Sequence, residues 1–162
     1  ARGGEEQSAW RHPIDLMPLL REAEAALPIA LAPPRRADGG DDTVLVQILL
    51  GDDPAAAIAA LSDAFAAGGE PEEVARIVAY AAALRVARFG PSNEIGDWIT
   101  ALHTFTHCNA LHQAIRRCAT PGVVRGVFAA AMSVYLDRFL NVPPAPLPGA
   151  RPAPSTPAAQ GR

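Results

Sequence analysis

The stretch DWITALHTFTHCNALHQAIRR, residues 97–117, decides the fold class because it is a long, largely apolar run that favours a helix. On a helical wheel of about 100° per residue, its large apolar side chains point in several directions; they are Leu102, Phe105, Leu111 and Ile115. A helix that is apolar on most sides is usually buried on most sides. This stretch therefore predicts a central helix enclosed by other helices.

The rest of the chain supplies the neighbouring helices. Ala, Leu, Val and Ile dominate, aromatic residues make up only 6%, and Pro and Gly gather at segment ends, which favours an all-α fold. Residues 43–50 form a short apolar segment that fits a strand, although the preceding aspartates favour a helix. We expect a bundle of about five or six helices over residues 14–27, 43–50, 54–67, 71–89, 97–117 and 121–140.

Three regions follow from composition. Residues 1–12 are polar and predicted to be a flexible N-terminus, and residues 13–142 form the helical domain. Residues 143–162 are Pro-rich, which predicts a disordered linker or tail. Such a linker suggests a further domain beyond it, and because the sequence starts without Met, we expect a piece of a longer protein.

Composition also limits the classes of partner and compartment. The net charge is −3 and no basic stripe is present, so we expect no nucleic-acid partner. No apolar run reaches about 18 residues, so we expect no membrane span. Cys108 and Cys118 lie about 15 Å apart along one helix, too far for a disulfide, which fits a reducing, cytoplasmic protein.

Three histidines make the central helix the candidate site. His103 and His107 are one turn apart on the same side, a spacing that metal sites use. His112 falls about 180° from His103, so a regular helix cannot aim all three rings at one point unless a π-bulge intervenes. We predict that these histidines bind a transition metal such as iron, and the alternative is that they are structural histidines hydrogen-bonded within the core. A metal would need further ligands, and His12, Glu94, Asp97 and Asp137 are candidates by residue type, none with a diagnostic spacing.

Further polar residues are candidates for a second shell or for substrate binding. Thr106, Asn109 and Gln113 form a polar seam beside His103. Asp97 is expected to be a helix N-cap or, alternatively, a ligand or base. Arg85 and Arg125 lie in apolar helical stretches, so each is expected to be paired, to extend to solvent, or to hold a substrate anion. We find no nucleotide-cofactor motif.

The chain resembles a known family over roughly residues 42–148. The elements ARF, DW, HTFT, NALHQA and YLDRFLNVP look like the helical region of actinobacterial-type proteins with Rieske [2Fe–2S] domains. The resemblance singles out Asp97, His103, Asn109 and His112, whereas His107 is often another residue in that family. The cluster motif itself, two Cys-x-His elements, is absent from this chain. The helix pattern is also similar to questin-oxidase-like proteins, which implies an iron-dependent oxygenase using several histidines.

Two functions compete most strongly at this point. The first is a helical component of an oxidoreductase with iron or another transition metal on His103, His107 and His112. The second is a non-catalytic helical module that docks a partner domain or forms a homo-oligomer. A strip of small residues, Gly122, Gly126 and Ala130, favours the second because it allows close helix approach. A metal-free small-molecule pocket beside the polar seam is a third expectation.

Overall fold

The computed structural model describes residues 15–30, 42–141 and 145. The described residues form helices and no strand, which confirms the predicted all-α fold, including a helix where a strand was the alternative. The helices are α1 (Met17–Ala30), α2 (Asp42–Leu49), α3 (Pro54–Ala66), α4 (Pro71–Ala87), α5 (Ile95–Arg117), α6 (Pro121–Val124) and α7 (Gly126–Leu136), followed by a 3₁₀ turn (Asp137–Leu140).

Local capping chemistry sets several of these boundaries. The Asp53 carboxylate accepts hydrogen bonds from the backbone N–H groups of Ala55 and Ala56, which starts α3. Gly68 then takes a positive φ of 86° just after the helix, a conformation that glycine adopts without strain. Helix α1 begins at Met17, three residues later than predicted, and the Asp15 carboxylate accepts from the Met17 N–H.

The start of α5 differs from the prediction. Asp97 is not the N-cap: the helix begins two residues earlier, with Glu94 in the N-cap position. The Glu94 side chain accepts from the backbone at Asp97, while the Asp97 carboxylate accepts from the Glu94 N–H at 3.0 Å. This reciprocal capping box satisfies two helix-end donors at once, so Asp97 has a structural task at the third helical position.

The last predicted helix, residues 121–140, is three segments in the structure. A break at Arg125 separates α6 from α7, and the final turn tightens to a 3₁₀ helix at Asp137. A Cβ placed on Gly126 would lie 3.1 Å from the Leu111 side chain, so the glycine allows α7 to approach α5 closely. Ala130 is also buried, whereas Gly122 has open space around it.

The bundle core lies between α3, α4, α5 and α7. Helices α4 and α5 share the largest interface, and α7 packs against both. Phe65 and Phe128 meet edge to face with ring centroids 5.8 Å apart, joining α3 to α7. No helix in the described parts of the chain is both long enough and apolar enough to cross a bilayer.

One end of the bundle fixes where α5 begins. The Phe89 and Trp98 rings pack edge to face at 5.4 Å, across the loop that joins α4 to α5. In that loop, the Asn93 side chain accepts from the Gly90 N–H and donates to the Leu140 carbonyl. The loop is thereby tied to the C-terminal 3₁₀ turn, which sets the start of α5.

Three predictions concern residues outside the described part of the chain: the flexible N-terminus predicted at 1–12, the first residues of the predicted domain, and all but residue 145 of the Pro-rich tail. Ala145 donates its backbone N–H to the Arg88 carbonyl at 2.7 Å. The Asn141 amide donates to the same carbonyl, also at 2.7 Å. Asn141 and Ala145 therefore both lie beside the end of α4, next to the loop that precedes α5.

Candidate functional site

Helix α5 has two chemically different faces. The inward face consists of Ala101, Thr104, Cys108 and Ile115, all buried against the core. The outward face consists of exposed residues; they are Ile95, Ile99, Leu102, His103, Thr106, His107 and Ala110. The sequence-based expectation that apolar residues all round would bury the helix on most sides is therefore wrong for one whole face.

The first two candidate histidines lie together on that outward face. His103 and His107 are both exposed, one helical turn apart on an uninterrupted helix. Neither makes a hydrogen bond or ion pair with any residue that the structure describes. The predicted enclosed helix would hold these two rings away from solvent, and this prediction is wrong for them, because the side of α5 that carries them is exposed.

The third histidine lies elsewhere, as the wheel predicted. His112 is half-buried, its Nε2 atom is 3.9 Å from Glu72 of α4, and its Nδ1 atom is 3.5 Å from the Gln113 amide. Helix α5 has no π-bulge, so the ring stays about 140° from that of His107. The structure therefore does not bring all three predicted ligands to one point.

The predicted polar seam is largely solvated. The Thr106 hydroxyl donates to the Leu102 carbonyl at 2.7 Å, a local bond within the helix. Asn109 is exposed, and the Gln113 side chain accepts from Arg116 at 3.1 Å. These groups line a surface, and none of these bonds joins α5 to another helix.

The two candidate arginines have different surroundings. Arg85 is buried and donates to the backbone carbonyls of Leu50 and Val134, at 3.1 and 3.2 Å. Burial, with nearby Arg88 and Arg138 adding repulsion, lowers the pKa of Arg85 to about 10. Arg85 thus links α4 to α7 and to the residue that follows α2 through backbone acceptors, while Arg125 is exposed at the α6–α7 break.

A buried acid, Asp137, lies beside α5, and the sequence offers it only as one of four candidate further metal ligands. Asp137 is 3% exposed and accepts a hydrogen bond from the Thr104 hydroxyl at 3.2 Å. Burial raises the pKa of Asp137 from 3.8 to about 7, although Thr104 and Arg85 oppose the shift. Its Oδ2 atom has no hydrogen-bond partner among the described residues. The sequence signal was an acid inside a strongly apolar segment.

Both cysteines are free thiols, as predicted. Cys108 lies in the core with its sulfur 4.0 Å from the Ala130 carbonyl, and burial raises its pKa to about 12. A thiol held protonated in this way is a poor nucleophile and a poor metal ligand. Cys118 is exposed at the C-cap of α5, beyond reach of Cys108.

The outward face carries an apolar line that sequence reasoning also missed. Ile95, Ile99 and Leu102 are 79%, 50% and 46% exposed. Residues 98–115 contain no Asp, Glu, Lys or Arg, so no formal charge interrupts this face. The lack of charged residues in 98–115 is a sequence signal that this part of the helix surface is desolvated. The sequence alone does not show whether the core of this chain or a partner covers it.

No family model matches the chain, and no curated protein or solved structure is significantly similar to it. The resemblance to Rieske-associated and questin-oxidase-like proteins therefore stays a prediction, as does the cytoplasmic location. Within the described residues, no group of three or more His, Cys, Asp or Glu side chains is arranged to hold a metal. With no similar protein to compare, a function for this chain has to be supported by the geometry of its described residues.

Proposed function

We propose that this chain is a helical self-association module, in which the apolar line of Ile95, Ile99 and Leu102 on α5 docks against the same line of a second copy. The observation that supports the proposal is the exposed line of Ile95, Ile99 and Leu102 on the longest helix described. Large apolar side chains aligned on a surface are typical of binding sites, whereas single exposed ones are common everywhere.

The spacing of this line suits helix–helix packing. Its positions are 95, 99 and 102, and Thr106 continues the alternation of four and three residues. That repeat keeps side chains on one seam between paired helices. Helix α5 has 23 residues, which is about 34 Å, so the seam is long enough for a two-helix contact.

The charge pattern favours a second copy as the occupant. The centre of α5 is free of formal charge, as the centres of protein interfaces generally are. Its ends carry opposite charges, with Glu94 exposed before the first turn and Arg116 and Arg117 exposed in the last. An antiparallel copy would oppose the two helix dipoles, and with the two apolar lines in contact neither helix brings a formal charge from residues 98–115 into the interface.

The small-residue strip is not part of this surface. Gly126 and Ala130 lie inside the bundle, where Gly126 packs against Leu111 of α5. From the sequence, this strip favours a homo-oligomer. In the structure, two of its three residues, Gly126 and Ala130, pack within the bundle instead. Self-association is therefore argued from α5 alone.

The test is the oligomeric state of the chain and of one charged variant. Wild-type protein should associate with rising concentration in sedimentation equilibrium. Ile99→Glu places a charge in the middle of the apolar line, where desolvating it in a contact is costly, so it should weaken association at least about tenfold. Far-UV circular dichroism should stay unchanged, because Ile99 is half exposed in the single chain.

The matched control is Val44→Glu. Val44 is 55% exposed on α2, which packs mainly against α3 and α4, so the same change falls on a different surface. It should leave association unchanged. A wild-type chain that stays monomeric up to about 1 mM, a limit near −4 kcal/mol, would overturn the proposal, as would equal losses in both variants.

The iron oxidoreductase remains a prediction with a weaker geometric basis. The pair His103 and His107 shares one side of α5, but His112 faces α4 and Glu72. A three-histidine site on one chain would therefore require α5 to change its local winding. Elemental analysis of protein expressed with added iron tests it: less than about 0.1 equivalent of iron would contradict the prediction, since a dedicated site retains its metal.

A further inference from the structure

We infer that the exposed pair His103 and His107 is a bidentate site for a divalent transition-metal ion, independent of His112. The pair lies on the outward face of α5 at spacing i, i+4. Side chains at that spacing have Cβ atoms about 5–6 Å apart, so two imidazoles can close on one ion at bonds of about 2.0–2.1 Å. The inference does not depend on self-association.

The surroundings leave both rings free to bind. No described residue occupies either ring with a hydrogen bond or an ion pair. The nearest hydroxyl groups on the same helix are already engaged, since Thr100 donates to the Gly96 carbonyl and Thr106 to that of Leu102. The stretch 98–115 holds no Arg that would repel a cation. The pair is therefore accessible, unpartnered and held on regular helical backbone.

The ligand set also limits the kind of metal. Two neutral imidazoles suit Cu²⁺, Ni²⁺ and Zn²⁺, and the general order of affinity places Cu²⁺ first and Fe²⁺ well below it. Among the described residues no third protein ligand joins the pair, so the other coordination positions stay open to water or to an incoming group. An open site of this kind binds exchangeable metal, unlike a closed structural zinc site.

The experiment titrates the full chain with Cu²⁺, Ni²⁺ and Zn²⁺ salts by calorimetry and records the electron paramagnetic resonance of the Cu²⁺ complex. We expect one ion per chain, with Cu²⁺ bound most tightly and nitrogen couplings from two imidazoles. Removal of a hydrogen-bond partner around a metal ligand costs about 10–100-fold in affinity, so His103→Ala and His107→Ala should each cost at least about tenfold.

The control variant is His112→Ala, which should leave the titration unchanged because that ring lies on the opposite side of α5. Titrations unchanged in both His103→Ala and His107→Ala would overturn the inference, and so would a loss confined to His112→Ala. The same titration on Ile95→Glu, which disrupts the apolar line two turns away, separates the two proposals. Metal binding should persist there even if self-association is lost.

Discussion

The inward and outward faces belong to the same helix, α5, but only the side chains of the inward face are packed against other helices. On the inward face, side chains are fitted to neighbours: Thr104 meets Asp137, and Cys108 lies beside Ala130. On the outward face, larger apolar groups such as Ile99 and Leu102 are half exposed and have no comparable cover. The inward face therefore holds the bundle together, and the outward face is available for contacts beyond it.

The comparison shows that apolar content alone does not tell which side of a helix is buried. The inward face includes a hydroxyl and a thiol, whereas the outward face includes two isoleucines and a leucine. On the inward side α7 lies close to α5, with Gly126 against Leu111 and the Cys108 sulfur 4.0 Å from the Ala130 carbonyl, so there is little room between these helices. Substitutions on each face should separate stability from association.

The largest effect is expected from truncating the inward face. Ile115 is 2% exposed, and Ile115→Ala removes its contacts and leaves a cavity, so the free energy of unfolding should fall by about 2–5 kcal/mol. Ile99→Ala on the outward face should cost less than about 0.5 kcal/mol in dilute solution. Urea unfolding followed by circular dichroism checks both. Equal losses would show that the two faces are equally packed.

The next largest effect is the pH dependence of the free energy of unfolding that arises from the buried acid Asp137. The folded-state pKa of Asp137 is raised to about 7, so the folded chain binds more protons than the unfolded chain between about pH 4 and 7. Its contribution to stability is thus present at low pH and is lost as pH rises through 7. Asp137→Asn should remove this loss, up to about 4 kcal/mol for a rise of roughly three pH units.

The measurement is urea unfolding of wild type and Asp137→Asn at pH 4.5 and pH 8. The variant should be the more stable of the two at pH 8 and close to wild type at pH 4.5. Other carboxylates titrate alike in both proteins, so their contributions cancel in the difference. A variant that is less stable at pH 8 would mean that the ionised Asp137 is well compensated, against the burial of its side chain.

A smaller effect separates two glycines of the small-residue strip. Gly126→Ala places a methyl group 3.1 Å from Leu111, so this side chain must shift, and we expect a loss of about 1 kcal/mol. Gly122→Ala meets no atom within 4 Å and should be neutral or slightly stabilising, because alanine restricts the unfolded chain. Thermal unfolding of the two variants compares them. A larger loss at Gly122 would contradict the assigned packing.

Much of the fold was predictable from local chemistry. Pro at the first turn and Asp53 before it mark the start of α3, and Gly68 follows its end, so that helix was placed within a residue or two. The opposite placement of His112 also followed from the regular winding of a helix. These features depend on residues near each other in sequence, where the rules of capping and periodicity apply.

The candidate site was harder to predict because it depends on which helices pack together. The wheel of α5 could not show that Leu102 and His103 face away from α4 and α7. The role of Arg85 depends on carbonyls 35 and 49 residues away, at Leu50 and Val134. Asp97 was placed at the right helix end, but the cap belongs to Glu94.

Hydroxyl-radical footprinting at low and high protein concentration tests the central claim most directly, because it measures the solvent access of individual side chains. The account predicts that labelling of Ile95, Ile99 and Leu102 falls as concentration rises, while Met17 and Val44, which are also about half exposed, stay equally labelled. Unchanged labelling of the α5 residues at every concentration, or protection confined to Met17 and Val44, would contradict it.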